Sequence, residues 1–266
     1  MPSPATPSDL FAEAVRRSPA APLITSYDDA TGERVELSGT TLANWVAKTA
    51  NLLQDEFDVG AGSTVAVALP VHWQAAAVLL GTWSCGATVL DTAAEDDGRL
   101  VDVDVVVAAQ DRLPGLEEGI GDSYLLGLSL HPMGAGMVGY SGPARDYAIE
   151  VRAGGDRFFP HQPPDPADPG LVAGALELSL GSLATAAAEL AARLGITGGD
   201  RILVDERTAA EAGPVAWLLA PLTAGASLVL CRNTSAETLP RRADEERITA
   251  TFGARVAGVR ELGRPA

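Results

Sequence analysis

Two stretches decide the fold: LSGTTLANWVAKTANLL, Leu37 to Leu53, and LSLGSLATAAAELAARL, Leu178 to Leu194. At a constant offset of 141, Leu37, Ser38, Leu42, Ala43, Ala47, Ala50 and Leu53 recur as Leu178, Ser179, Leu183, Ala184, Ala188, Ala191 and Leu194. The spacing of Ala43, Ala47, Ala50 and Leu53 puts them on one face of a helix. A second echo follows, AAVLLGTWSCGATVL from Ala76 and VAWLLAPLTAGASLVL from Val215, with Leu79, Leu80, Gly86 and Ala87 matching Leu218, Leu219, Gly225 and Ala226. Between the echoes each half places a short apolar run, VAVALP after GAGST and ILVD after GITGGDR. Each half therefore reads helix, strand, helix, strand.

Runs such as Val65–Leu69, Val103–Ala108 (Asp104 apart) and Ile202–Val204 are apolar on both faces, as parallel strands covered by helices must be. The Gly-Ala pair after each second helix suits a C-terminal cap leading straight into a strand. The expected fold is α/β, two related lobes of mostly parallel sheet flanked by helices. The lobes are read as residues 1–160 and 171–266, joined by the proline-rich connection 161–170, HQPPDPADPG. Ahead of the first helix, PLITSYDDATGERVELS reads as a hairpin turning at Asp29–Gly32.

Bulk composition narrows the partners. A net charge of −16 argues against nucleic acid, whose phosphates need clustered Lys and Arg, and against an anionic membrane surface. No apolar stretch approaches the ~18 residues of a membrane helix. MPSPATPSDLF lacks the basic and apolar regions of a secretory signal, so a cytoplasmic location is expected. Cys85 and Cys231 sit in apolar surroundings and read as buried free thiols, with no CxxC or Cys/His cluster for a metal.

Ser38-Gly39-Thr40-Thr41 has the look of a phosphate-binding loop, and the repeat supplies the control. The same Leu-Ser pair precedes the same helix in both halves, so Ser38 or Thr40, and Ser179 or Ser182, read as helix caps worth about 1 kcal/mol. A phosphate cradle needs glycines on both sides and a cation. Leu42-Ala43-Asn44-Trp45 follows instead, and the nearest lysine, Lys48, lies inside the helix.

Taken together, LFAEAVRRSPAAPLITSYDDATGERVELSGTTLANWVAKTANLL, VAVALPVHWQAAAVLLGTWSCGATVLDT, LATAAAELAARLGITGGDRILV and AWLLAPLTAGASLVL resemble the amino-terminal part of the adenylate-forming superfamily. That superfamily includes acyl-CoA synthetases and the adenylation domains of peptide synthetases. The resemblance covers most of the chain and is to a truncated, degenerate form, like short bacterial proteins that keep only this front portion. It implies that a TSGTTGxPKG-type loop, which wraps ATP phosphates, should stand before the second helix motif. That place reads DPGLVAGALELSLGSL, with no lysine and no Gly-Thr-Thr. DERTAAEAGPV stands where the family carries an aromatic and a histidine. The family's magnesium-holding glutamate, ribose-holding aspartate and carboxy-terminal lysine have no counterpart. Nucleotidyl transfer depends on positioned charge around the phosphates. The expectation is a non-catalytic binding or interaction module with no cofactor, ATP or AMP being the ligand to test first. The alternative is a half-enzyme keeping a nucleotide or acyl-adenylate pocket and working with a partner chain. A protein partner, or a second copy, is expected on surface that the missing portion would leave exposed.

Other candidates are weaker. Gly134, Gly136 and Gly139 form a GxGxxG, but Pro132 and Pro143 flank it and it reads as a loop between lobes. His72, His131 and His161 lack metal or triad spacing. Asp91-Thr92 and Asp102 with Asp104 read as a solvated acidic segment leading into a strand. The one stretch that invites a site is PARDYAIEVRAGGDRFFPHQPP. Arg145, Asp146, Tyr147, Arg152, Arg157 and Phe158 are the candidate cleft or partner surface, joined by Asp156 and Phe159. The competing reading is a salt-bridged helix that packs Phe158 and Phe159 into the lobe junction.

Overall fold

The computed structural model describes residues 6–92, 100 and 103–263. Asp102 lies outside the described residues. The chain opens with α1 (Pro7–Arg17), capped by Thr6 and Asp9 in a reciprocal box. The hairpin of β1 (Pro22–Asp28) and β2 (Glu33–Ser38) turns over residues 29–32, as its sequence requires, with Gly32 in the left-handed region. Then come α2 (Gly39–Phe57), β3 (Thr64–Ala68), α3 (Trp73–Ser84), β4 (Thr88–Asp91) and β5 (Val105–Ala109). After these stand α4 (Leu113–Leu116), β6 (Tyr124–Leu128), β7 (Arg145–Asp146) and α5 (Tyr147–Glu150). The second half runs β8 (Pro169–Ala173), β9 (Leu176–Ser179), α6 (Leu180–Leu194), β10 (Arg201–Asp205), α7 (Glu206–Pro214), α8 (Ala220–Ala224) and β11 (Ser227–Arg232). It closes with α9 (Leu239–Glu245), β12 (Ala250–Phe252) and β13 (Arg260–Leu262).

The strands form two sheets, ordered β13-β12-β10-β11-β1-β2 and β7-β6-β5-β3-β4-β8-β9. All neighbours are parallel except within the hairpins β1–β2 and β8–β9. The duplication is plain in this order: β6, β5, β3 and β4 stand in one sheet as β13, β12, β10 and β11 stand in the other. The hairpins are exchanged. The first half's hairpin joins the second half's sheet through β1 beside β11, and the second half's hairpin joins the first half's sheet through β8 beside β4. Both hairpins begin at a proline followed by a register shift, at Pro22/Ile24 and Pro169/Leu171. The sequence boundaries 1–160 and 171–266 therefore do not coincide with the sheets, because each sheet draws strands from both sides of residues 161–170.

Successive strand side chains point to opposite faces, and the cores follow that rule. Val65, Val67, Val105, Val107, Ile202, Val204, Leu228 and Leu230 share one large cluster with α1, α2, α3, α6 and α8 between the sheets. Ala66, Ala68, Val106 and Ala108 face a second cluster under α4. Leu203, Val229 and Cys231 face a third under α9. The all-apolar runs are thus buried on both faces, which is why they do not alternate.

The two duplicated helices start identically. Ser38 Oγ accepts the Thr41 N–H at 3.1 Å, and Ser179 Oγ accepts the Ser182 N–H at 3.1 Å. Asp58 and Gly195 end these helices in the left-handed region. The repeat's alanine stripe holds less strictly in α6, where Ala188 is exposed and Ala187 takes the buried place. Gly86 and Gly225 both adopt φ +79° after the second helices, as the Gly-Ala pairs predict. Cys85 and Cys231 are buried and unpaired, and burial raises their thiols to about 12 and about 11.

Candidate functional site

The carboxyl ends of both parallel sheets converge on one cleft. In open α/β sheets this is where ligands bind. Two cavities of about 320 and 650 Å³ meet there, sharing Ala109, Asp111 and Arg232 in their walls. The strand ends Asp91, Ala109, Leu128 and Arg232 deliver the lining, and so does Glu206 at the start of α7. Apolar wall comes from Leu69, Val71, Leu79 and Trp217.

The second half shapes its side of this cleft by breaking a helix. Gly213 takes φ 72°, ψ 173° inside the run from Glu206, and Pro214 follows with no N–H to give. Residues Val215–Leu219 then form a π-turn before α8. Such turns interrupt a helix to present side chains, and here Pro214 and Trp217 face the cleft. In the first half α3 runs without interruption from Trp73 to Ser84.

Charge in the cleft is mainly negative. Asp28, Glu33, Asp91, Asp111 and Glu206 line it, against Arg112 and Arg232. Arg232 Nη1 lies 3.4 Å from Asp28 and its Nε 3.6 Å from Glu206, ion-pair distances at which the buried Nε–H has no hydrogen-bond acceptor. His72 is buried behind Arg232. Burial, reinforced by that guanidinium and opposed by Asp28, holds its pKa down to about 3. The neutral Nδ1 accepts the Gln74 N–H at 3.3 Å and caps α3, so His72 is a satisfied structural histidine. His131 Nδ1 accepts the Met133 N–H at 3.1 Å. Asp104 accepts the Thr64 N–H at 2.7 Å. Among the described residues no group of His, Cys, Asp and Glu could hold a metal.

The chain's single lysine, Lys48, lies on α2 and outside both cavities. Between β8 and β9, where the sequence resemblance calls for a phosphate loop, Gly174 and Ala175 make a two-residue turn, Gly174 at φ +59°. Ser38-Gly39-Thr40-Thr41 is a cap, with Thr40 Oγ1 donating to the Pro19 carbonyl at 3.0 Å. The GxGxxG run is a loop, and its Gly136 and Val138 line the cleft without starting a helix.

The six candidates from the 145–158 stretch do not gather in one place. Arg145 bridges Glu56 and Glu150 at 3.0 and 2.6 Å and lies over Phe57. Asp146 caps α5, accepting from Ala148 and from Met137. Tyr147 is fully buried, its hydroxyl 2.7 Å from Thr49 Oγ1. Arg157 is exposed, and its carbonyl accepts from Asn51. Phe158 packs on the core edge, whereas Phe159 is 77% exposed, so the expected pair of buried phenylalanines is corrected to one. The stretch is mostly a brace along α2. Arg152 alone enters a cavity, a groove shared with Lys48 that sequence could not delimit. The half-enzyme reading implies a pocket without naming its walls; the sequence signal for them is the pair of strand ends Asp91 and Arg232, each closing an apolar run with a charge.

The chain matches no family model. It is 43% identical over 242 residues to a Mycobacterium tuberculosis protein described as "TIGR03089 family protein", covering 88% of this chain and 93% of that one. Among solved structures it is similar to an anthranilate CoA ligase in complex with anthranoyl-AMP (TM-score 0.76, 14% identity, 95% of this chain and 50% of that chain). It is similar also to a Mycobacterium tuberculosis fatty acyl CoA synthetase (0.73, 15%, 93% and 49%) and a Brucella canis acyl-CoA synthetase (0.74, 19%, 92% and 47%). The chain spans about half the length of these structures, and at such identities they show the fold alone: the amino-terminal architecture of adenylate-forming enzymes.

Proposed function

We take as premise that the chain belongs to the TIGR03089 family, and we propose that it binds a small molecule in the inter-sheet cleft without adenylating a carboxylate. One observation carries the reading: the hairpin β8–β9 closes through Gly174 and Ala175 where the resemblance calls for a phosphate-wrapping loop. The cleft's charge supports it, since five carboxylates against two guanidiniums repel a triphosphate. The cleft itself, walled by Leu69, Val71, Leu79 and Trp217, supports retained binding. It also favours the second reading, a half-enzyme completed by a partner chain that brings the missing cations.

The test is ATP–pyrophosphate exchange with a panel of aliphatic and aromatic carboxylic acids, run beside thermal unfolding with millimolar ATP·Mg or AMP. We expect no exchange. Exchange by the purified chain would overturn the proposal. A ligand at a hundred times its dissociation constant adds ~2.7 kcal/mol, or several degrees for a chain of this size. A shift with AMP but no exchange moves the weight to the half-enzyme. The partner-surface part of the reading rests on exposed Met133, Val138, Ile149 and Phe159, and light scattering at high concentration checks it. No helix among the described residues is long and apolar enough to cross a membrane.

A further inference from the structure

A third cavity shares no lining residue with the inter-sheet cleft. It is a groove of about 330 Å³ between α2 and the segments carrying Met133–Gly134 and Arg152–Asp156. One side of α2 supplies Thr41, Asn44, Trp45 and Lys48, spaced three and four residues apart along a single face. Arg152 faces them across the groove. In a protein of net charge −16, this concavity gathers the single lysine and an arginine against one carboxylate, Asp156.

Both cations are held in place by main-chain oxygens. Lys48 Nζ donates to the Gly154 carbonyl at 2.6 Å and stands 3.2 Å from Asp156 Oδ1. Arg152 Nη2 donates to the Gly134 carbonyl at 3.2 Å and has no carboxylate partner among the described residues. An ammonium has three donors and a guanidinium five, so each keeps N–H groups to offer. The carbonyl contacts reduce the side-chain entropy that a ligand would otherwise have to remove. Packing fixes the floor as well. Trp45 meets Trp73 edge-on at 4.9 Å and stacks with Tyr147 at 6.5 Å. Gly134, at φ +63°, lets the indole approach so closely that a Cβ there would stand 2.8 Å from Cη2. Any other residue at 134 would push into the indole.

We propose that this groove binds a planar aromatic compound carrying one anionic head. The ring lies against Trp45 and Met133, and the head takes N–H donors from Lys48 and Arg152. A fixed ammonium and guanidinium beside an indole suit that combination: charge-assisted bonds hold the head, and aromatic and thioether surface holds the ring. The head can be a carboxylate or a phosphate monoester, and the two are separated by experiment.

Calorimetric titration of the full chain with 2-naphthoate and 2-naphthyl phosphate is the first arm, with naphthalene-2-carboxamide and cyclohexanecarboxylate as the uncharged and non-aromatic controls. We expect one or both naphthyl anions to bind at least tenfold tighter than either control, and their ratio identifies the head. Because Lys48 is the only side-chain amine, the second arm reads its labelling by trinitrobenzenesulfonate, mapped by peptide mass spectrometry. The better anion should slow that labelling at least fivefold. Arg152→Gln, a change at an exposed position, should weaken binding about tenfold while leaving the melting temperature in place; tenfold is the loss of one charge-assisted bond. Equal binding of anions and controls overturns the proposal. So does tight binding that leaves Lys48 labelling and Arg152→Gln unaffected, because the ligand then sits elsewhere, the inter-sheet cleft included.

Discussion

The two halves of this chain are built to one plan and differ where the cleft is. Each gives a proline-led hairpin to the other half's sheet, and each starts the helix after it with a serine cap of the same length. They part at the second helix. In the first half α3 is continuous and capped by a buried neutral imidazole. In the second half the corresponding run is α7, a left-handed Gly213, a π-turn and α8, capped by Asp205. Duplication supplied a symmetrical frame, and one broken helix made it asymmetric at the carboxyl ends of the strands. The outer faces differ too. Below α4 the first sheet is covered by an apolar cluster. The face under α9 adds to its apolar cluster a charge network in which Glu246 meets Tyr27, Arg34 and Arg201.

The largest effect should come from the weld that only the first half has. Trp83 is fully buried, and its Nε1 donates to the Gly170 carbonyl at 2.7 Å, tying α3 to the exchanged hairpin. Its repeat partner, Leu222, is equally buried and has no such donor. Trp83→Ala should cost about 3–5 kcal/mol by chemical unfolding. Trp83→Phe, which keeps most of the volume and strands the carbonyl, should cost about 1–3 kcal/mol. If Trp83→Phe costs no more than a tenth of Trp83→Ala, the weld is packing alone.

Next in size is the charge network of the second sheet. Burial pushes the Glu246 carboxyl up, but hydrogen bonds from Tyr27, Arg34 and Arg201 outweigh it and hold the pKa at about 2. A depressed carboxyl stabilises the fold fully above its unfolded value, near 4.5, and loses that contribution as pH falls towards 2. Glu246→Gln should therefore cost about 1.5–3 kcal/mol near neutral pH and converge with the parent below pH about 2. Urea titrations from pH 7 to 2 measure this. A variant parallel to the parent across the range would remove Glu246 from the acid response.

The smallest effect tests the symmetry itself. Ser38→Ala and Ser179→Ala should each cost about 1 kcal/mol, and equally, because the two caps have the same partner and the same length. A much larger loss at Ser38, with Ser179→Ala near 1, would mean that the first cap does more than start a helix.

Much of the frame was legible because it is local. The cap, the turn at residues 29–32 and the Gly-Ala stops each depend on a few adjacent residues. The runs Val65–Leu69 and Ile202–Val204 announced strands buried on both faces, because such a strand has no polar side to show. The mixed charge and aromatics of the 145–158 stretch allow two readings, a cleft or a packed, salt-bridged segment. Most of those groups pair with neighbours such as Glu56, Glu150 and Thr49, as the second reading has it, and composition does not reveal which partner a charge will find. Arg152 was the exception, for reasons that lie in residues 41–48 and 133–134 rather than in its own segment.

The sequence by itself determined the duplication, the capped helix starts and the strands buried on both faces, since periodicity and local chemistry are written within a few residues of each other. Only the tertiary structure decided that the hairpins cross over, that two sheets share one cleft, and that Lys48 and Arg152 face each other across a groove. The exchanged hairpins pair Ile24 with Leu228 and Val89 with Leu171, and the cleft sets Ala109 beside Arg232, all contacts between residues far apart in the chain. They are chosen by which faces can be buried together, and a linear pattern of polarity does not rank those choices.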